Sequence, residues 1–158
     1  MLHTDDLAWN DGVFSWDELL INEVLPVLRE RRALRYRPPA WLAHGRDGAI
    51  TLGSNRDFMI IEGVGASQSS VRPELDATIW LETPQSVRES RDASRIAAGE
   101  TSAASYARWM AEENAYLAAE RPWEYADLVV GGGGLDDDQE TKIIFRIPNR
   151  PASGQHAT

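Results

Sequence analysis

The sequence predicts an α/β domain built around a parallel sheet, and two kinds of pattern carry that prediction. Short continuous apolar runs lie at 58–61, 77–81 and 127–130. Runs of this length are typical of strands buried on both faces of a parallel sheet. Helical patterns at about 84–98 and 101–121 separate the second run from the third. Strands and helices in alternation indicate a layered α/β arrangement.

The remaining segments fit the same outline. Residues 1–4 have the character of a strand end, and Ser15 with Glu18 forms a capping-box pattern. That pattern predicts an amphipathic helix through about residue 32, bent at Pro26. Further strands are predicted at 34–37, 49–52 and 141–147, with a flexible acidic turn at 131–138. We therefore expect a single domain over 1–147, followed by a flexible tail at 148–158.

Composition excludes several classes of function. The 158 residues carry a net charge of −9 and include no cysteine. An acidic chain of this kind is not expected to bind nucleic acid non-specifically. The absence of cysteine excludes disulfides, thiolate catalysis and cysteine zinc sites. No apolar stretch approaches the roughly 20 residues that a membrane span needs, and no export signal is evident. We expect no membrane partner and a cytoplasmic location.

Acidic residues follow two of the predicted strands. Asp5 and Asp6 come after the strand end at the N-terminus, and Glu62 follows the buried run at 58–61. Since ligands bind beyond the carboxyl ends of strands in open α/β sheets, these carboxylates are expected at one edge of the sheet. There they can hold magnesium through water or accept a proton from a hydroxyl group. The alternative is that Asp5 and Asp6 simply form a turn or a helix cap.

Arginine side chains are concentrated on one predicted helix. Arg88, Arg91 and Arg95 are spaced by three and four residues, which places them on a single helical face. Guanidinium groups pointing the same way suit phosphate oxygens. The alternative is a solvated helix surface with local ion pairs of little energetic value.

The segment 36–46 is rich in aromatic, basic and Pro/Gly residues. A flat ligand could stack on Trp41 and receive a hydrogen bond from His44. The alternative is a tryptophan packed under the loop with His44 in solvent. The glycine run at 131–134 lacks a following Gly-Lys-Ser/Thr, which indicates a flexible connection rather than a phosphate loop.

The order of these features resembles the uridine kinase family, and most closely the small uridine-kinase-like ATP-binding proteins of actinobacteria. The resemblance covers residues 1 to about 131. It rests on the stretches His-Thr-Asp-Asp at 3–6, Arg-Tyr-Arg-Pro-Pro-Ala-Trp at 35–41, Ile-Glu-Gly-Val-Gly at 61–65, Trp-Met-Ala-Glu-Glu at 109–113, Arg-Pro-Trp at 121–123 and Ala-Asp-Leu-Val-Val at 126–130. It implies a P-loop NTPase fold of the nucleoside-kinase type, with three layers around a parallel sheet.

The resemblance also implies roles for individual residues on the acceptor side. Asp5 matches the general base that accepts the proton of a nucleoside 5′-hydroxyl. Asp6 and Glu62 match acidic positions near Mg²⁺. Trp41 matches the aromatic residue that packs against the nucleoside, and His44 the histidine that reads its base.

Four arginines match further positions of the family, and a fifth shares a matching stretch. Arg37 lies in the acceptor loop and Arg46 matches an arginine two residues beyond the histidine, so both are assigned to substrate binding. Arg88, Arg91 and Arg95 match lid arginines that close over the phosphates of ATP. Arg88 is assigned to ATP, and Arg91 and Arg95 to the developing charge of phosphoryl transfer.

The sequence departs from the family at three places. Pro39-Ala40 replaces the aromatic–acid pair of the nucleoside kinases, and Ile96 replaces an acid after the last lid arginine. The 158 residues contain no Gly-x-x-x-x-Gly-Lys-Ser/Thr loop, because Lys142 has no glycine before it and no Ser/Thr after it. The strand that precedes this loop normally lies in the middle of the sheet.

Three interpretations of the missing loop remain open. The start codon is misassigned and the natural kinase is longer, or the chain is a remnant that binds a ligand or a partner without catalysis. In the third, a second copy or another chain fills the gap in the sheet, since unpaired strands expose backbone groups. The expected family activity is ATP-dependent phosphorylation of a nucleoside-like hydroxyl, and the alternative is a non-catalytic binding or interaction protein.

Overall fold

A computed structural model of the protein describes residues 1–131 and 144–146. The chain divides into two compact units, Met1–Glu74 and the part from Leu75 onward. The expectation of one domain over 1–147 stays a prediction. The predicted tail at 148–158 and all of the predicted turn at 131–138 except Gly131 lie outside the described residues.

The first unit combines short helices with two pairs of strands. Its elements are β1 Leu2–His3, α1 Thr4–Ala8, α2 Asp17–Leu19, a π-helical turn Leu20–Val24, α3 Leu25–Arg29, β2 Leu34–Tyr36, α4 Pro39–Ala43, β3 Ile50–Leu52, β4 Ile61–Glu62 and a 3-10 turn Arg72–Glu74. Strands β1 and β4 pair in parallel, with Leu2 opposite Ile61. Strands β2 and β3 confirm the two strands predicted around the Pro/Gly-rich connection, and they pair antiparallel, with Arg35 opposite Thr51.

The capping box predicted at Ser15 is wrong. The backbone N–H of Ser15 donates to the carbonyl of Gly12, and the helix begins at Asp17 without a side-chain cap. Trp16 occupies the cap position instead, fully buried, and its indole N–H donates to the carbonyl of Val13 over 2.8 Å. Burial of this large side chain fixes the entry of the helix, so the serine is left in the preceding turn.

The predicted distortion at Pro26 is present, one turn earlier than the proline. Pro26 has no N–H to donate to the carbonyl four residues before it. The helix widens just upstream, where the N–H of Leu25 bonds to the carbonyl of Leu20 and forms a π-helical turn. The apolar side of this helix still faces the core, because Leu20 and Val24 are fully buried.

The second unit contains a three-stranded sheet and three helices among its described residues. Its elements are β5 Ile79–Glu82, α5 Gln85–Ala97, α6 Ala103–Glu120, α7 Pro122–Tyr125, β6 Leu128–Gly131 and β7 Ile144–Arg146. Strands β5 and β6 are parallel, and β7 adds antiparallel to β6. The two long helices agree with the sequence prediction, and β7 confirms part of the strand predicted at 141–147.

Two of the three apolar runs are not buried on both faces, as the sequence had suggested. Phe58 is 78% exposed, because the ladder with β1 pairs only Ile61 and Glu62. Ile79 and Leu81 are 63% and 68% exposed, on the face of β5 opposite to Trp80. Apolar runs do not reveal how many neighbours a strand has, and β5 is an edge strand in the described part of its sheet.

The coarse prediction of an α/β fold class is confirmed. Helices and strands are mixed, and the sheet that contains β1 and the sheet that contains β5 each include a parallel pair. Within residues 1–131 and 144–146, no helix has both the length and the apolar character required to cross a membrane.

Replacement of Trp16 by alanine is expected to lower the free energy of unfolding by about 3–5 kcal/mol, as for other large-to-small core substitutions. Phe58→Ala is the matched control, and it is expected to change stability by less than about 0.5 kcal/mol because the ring is exposed. Urea denaturation monitored by circular dichroism measures both values. Equal losses for the two variants would contradict this placement of the core.

Candidate functional site

The carboxyl ends of β1 and β4 lie side by side. The two strands are parallel, and His3 is the register partner of Glu62. Helix α1 begins directly after His3, so Asp5 and Asp6 occupy its first turn. The imidazole Nδ1 of His3 contacts the carboxylate of Glu62, and both side chains are about half exposed. The predicted gathering of these acids at one sheet edge is therefore supported by the pairing of the strands.

The turn that follows β4 packs tightly on the start of α1. The hydroxyl of Thr4, which is buried, donates to the carbonyl of Val64 over 3.1 Å. Gly63 has a φ of +123°, and a Cβ at this position would collide with the Thr4 hydroxyl. A glycine is required here for both reasons. The contact fixes the position of Glu62 relative to the helix that carries Asp5 and Asp6.

Asp6 is bonded to an arginine from the following loop. Nη2 of Arg46 donates to Oδ1 of Asp6 over 2.7 Å, with both side chains about a third exposed. Arg37 supports this pair, because its guanidinium donates to the backbone carbonyl of Arg46 over 2.6 Å. Asp6 therefore has a tertiary partner in addition to its place in the first turn of α1, while Asp5 is exposed to solvent.

Trp41 lies beneath this ion pair. The ring is only 4% exposed, and its indole N–H donates to the backbone carbonyl of Asp6 over 2.8 Å. The guanidinium carbon of Arg46 lies 3.5 Å from the centroid of the Trp41 ring. A cation this close to an indole face forms a favourable cation–π contact. That face of Trp41 is therefore covered by Arg46, and a flat ligand has no surface there on which to stack.

Trp9, which the sequence reasoning did not select, completes this group. Its ring centroid lies 6.5 Å from that of Trp41 and 6.4 Å from that of His44, nearly perpendicular to both rings. Arg46 also lies 5.2 Å from the centroid of Trp9. His44 itself is exposed at the end of α4. We refer to Asp6, Trp9, Trp41, His44 and Arg46 as the aromatic–arginine cluster.

A signal for Trp9 was present in the sequence. Trp9 follows Asp5 by four residues, and residues with this spacing lie on the same face of a helix. The spacing is informative because residues 4–8 form a helix, with Trp9 at its end, rather than a turn.

The three predicted lid arginines belong to the second unit. Helix α5 carries Arg88, Arg91 and Arg95, and all three side chains are exposed. Nε of Arg95 lies 3.6 Å from a carboxylate oxygen of Glu100. The three arginines lie on one helix, as predicted, and the exposure of their side chains also fits the alternative of a solvated helix surface.

Helix α6 presents charged groups to the same arginine helix. Desolvation raises the pKa of Glu113, the guanidinium of Arg88 opposes this shift, and the carboxylate of Asp92 adds to it. The hydroxyl of Tyr106 donates to Asp92 over 2.7 Å, and this hydrogen bond is the main reason that the pKa of Tyr106 is raised. Arg88 is therefore held near an acid that is partly removed from water.

The described residues do not form a metal site by themselves. No group of three or more His, Asp or Glu side chains suited to an ion is found among them. Asp6 is bonded to Arg46, and Glu62 contacts His3. Two carboxylates are enough only for a Mg²⁺ ion that is also coordinated by substrate phosphates and keeps several of its water ligands.

Comparison of the chain with protein family models, with curated proteins and with solved structures found no match.

Gly63→Ala is expected to destabilise the first unit by about 1–3 kcal/mol, because alanine is strained at this φ and its methyl group would displace Thr4. Gly53→Ala is the matched control: that glycine does not have a positive φ and has open space around it. The free energy of unfolding of Gly53→Ala should differ from that of the wild-type protein by less than about 0.5 kcal/mol. Thermal unfolding of both variants tests this. Equal midpoints would show that the turn is not held against α1 in this way.

Proposed function

We propose that the first unit binds a nucleoside-like small molecule and presents one of its hydroxyl groups to Asp5 for phosphorylation by ATP. The observation that carries this proposal is the position of Asp5. It is exposed in the first turn of α1, directly beyond the carboxyl end of β1, beside a parallel strand that ends in Glu62. Sheet edges of this kind are where α/β proteins bind ligands.

The proposed reaction is a phosphoryl transfer. The acceptor hydroxyl oxygen forms a bond to the γ-phosphorus of ATP while the bond from that phosphorus to the bridging oxygen breaks, and ADP leaves. The hydroxyl proton passes to the carboxylate of Asp5, the general base. Asp6 is less suited to this role, because its carboxylate already accepts a hydrogen bond from Arg46. The protein contributes mainly position and charge to such a reaction.

The other residues take supporting roles in this proposal. Arg37 and Arg46 shape the acceptor side, and His44 is the exposed polar group available to read the ligand. Trp41 supports Arg46 from below through the 3.5 Å contact. Asp6 and Glu62 are the acids that would contact a Mg²⁺ ion accompanying ATP.

The three exposed arginines of α5 are assigned to the phosphates of ATP, with Arg88 as a binding residue and Arg91 and Arg95 neutralising developing charge. The finer fold in this proposal is the three-layer P-loop kinase type without its usual first strand and loop. Its support is that β1 pairs in parallel with β4, and β5 in parallel with β6.

Mg-ATP at millimolar concentration is expected to raise the thermal midpoint of the 158-residue protein, because a ligand that binds only the native state stabilises it.

With a panel of nucleosides and radiolabelled ATP, Asp5→Asn should lower phosphoryl transfer by roughly 10²- to 10⁴-fold. Asp57→Asn is the matched control, an exposed aspartate in the loop before β4. Unchanged turnover in Asp5→Asn would exclude Asp5 as the base, and no midpoint shift would argue against an ATP site.

A second candidate function is a non-catalytic interaction module, and one observation favours it. The edge strand β5 exposes Ile79 and Leu81 to solvent, and no strand pairs with its outer side in the described part of the chain. Exposed apolar edge strands are templates for pairing with another chain. In this alternative a second copy or a partner chain completes the sheet.

If β5 mediates self-association, the purified protein should be a dimer or larger, and Leu81→Lys should convert it to a monomer, since a charged residue on an edge strand opposes pairing. Leu42→Lys is the matched control, because Leu42 is similarly exposed on α4 in the other unit. Light scattering coupled to size-exclusion chromatography measures the mass. A wild-type monomer, or equal masses for the two variants, would contradict this role of β5.

A further inference from the structure

The ring that a flat ligand can reach in the aromatic–arginine cluster is not the buried one. Trp41 is 4% exposed, its N–H is bonded to the backbone of Asp6, and Arg46 covers one face. Stacking of a ligand on that face would require the Arg46 guanidinium to leave both the Trp41 ring and the Asp6 carboxylate. Trp41 therefore acts as internal support.

Trp9 has the properties that Trp41 lacks. It is only half-buried, and it follows directly after the last residue of α1. Trp9 is the C-terminal cap residue of α1, four residues beyond Asp5, so the two positions lie about one helical turn apart along the chain. A ligand ring placed on Trp9 would thus have its attached sugar within about one helical turn of the Asp5 carboxylate.

The neighbours of Trp9 also suit recognition of a heteroaromatic ring. The exposed imidazole of His44 lies 6.4 Å from Trp9, with an interplanar angle of 78°. A ring stacked on Trp9 would present its polar edge toward such a group, which can donate or accept a hydrogen bond. The Arg46 guanidinium also lies over the Trp9 ring, but at 5.2 Å from its centroid rather than the 3.5 Å found for Trp41, and it holds the indole in place through a cation–π contact.

We propose that Trp9 is the residue on which the base of the nucleoside-like acceptor stacks, with His44 hydrogen-bonding to the edge of that base. This inference rests on the proposed function of the first unit and names its ligand class as a flat heteroaromatic ring joined to a hydroxyl-bearing sugar. Base–aromatic stacking tolerates every base, because each has a π face. Selectivity among bases is then left to His44.

The test is calorimetric titration of the 158-residue protein with adenosine, uridine and, as a probe without a base, ribose. The wild-type protein should bind at least one nucleoside more tightly than ribose. Trp9→Leu should weaken that binding by roughly 5-fold or more, the lower range for loss of one base–aromatic stack. Trp9→Phe, which keeps an aromatic face, should stay within about 3-fold of wild type. Trp123→Phe, in the second unit, is the matched control and should bind as wild type does.

A measurement on the unaltered protein covers the case in which Trp9→Leu fails to fold. The indole N–H resonance of Trp9, identified among the 6 tryptophans by its loss in Trp9→Phe, should shift as nucleoside is added. The resonances of Trp80 and Trp123 should not shift.

The outcomes separate this inference from the function on which it rests. Nucleoside binding that is unchanged in Trp9→Leu, or that leaves the Trp9 resonance in place, overturns the role of Trp9 and keeps the proposed function. Absence of nucleoside binding by the wild-type protein overturns both.

Discussion

The short parallel ladder between β1 and β4 positions the acidic groups of the candidate acceptor site. It places the start of α1 beside the end of β4, and with it the acids of both elements. The ladder is only two residues long, and two further contacts reinforce it. The buried hydroxyl of Thr4 donates to the carbonyl of Val64, just after Gly63, and Leu2 and Leu7, which flank Thr4 in the sequence, are buried in the core. A strand pair this short is marginal alone, so its geometry depends on this packing.

Arg46 organises the rest of the acceptor side. One guanidinium group bonds to Asp6, lies over Trp41 and approaches Trp9, while its own backbone carbonyl accepts from Arg37. A partly exposed ion pair alone contributes little to stability. The same cation on two indole rings adds cation–π energy of about 0.5–2 kcal/mol per contact. The cluster therefore serves mainly to orient side chains. Its arginine pairs with the carboxylate of Asp6, whereas the carboxylate of Asp5 stays exposed to solvent.

The second unit has a different physical character. One face of its sheet is protected, where Trp80 packs against Trp123 at 5.8 Å and Val129 is buried, whereas the other exposes Ile79 and Leu81. Two exposed branched residues on a strand that forms the edge of the described part of the sheet lower solubility unless something covers them. The exposed arginines of α5 add positive charge to a strongly acidic protein. The proposed anion binding and the proposed strand pairing would therefore use separate surfaces of this unit, one on helix α5 and one on the sheet.

Local chemistry in the sequence determined much of the outline. The helices α5 and α6, the strands β2 and β3, and the acids at the ends of β1 and β4 were all predictable, because periodicity, turn residues and strand ends are encoded within a few neighbouring positions. Only the tertiary structure decided which of these residues are buried and which partner each one has. Ser15 does not cap the helix, because the buried Trp16 occupies the cap position. Phe58 lies outside the β1–β4 ladder, which has only two residue pairs, and Trp41 supports Arg46 from inside the fold. Trp9 gained significance for the same reason. Burial and pairing depend on residues distant in the chain, such as the 40-residue separation between Asp6 and Arg46, and no local pattern reports them.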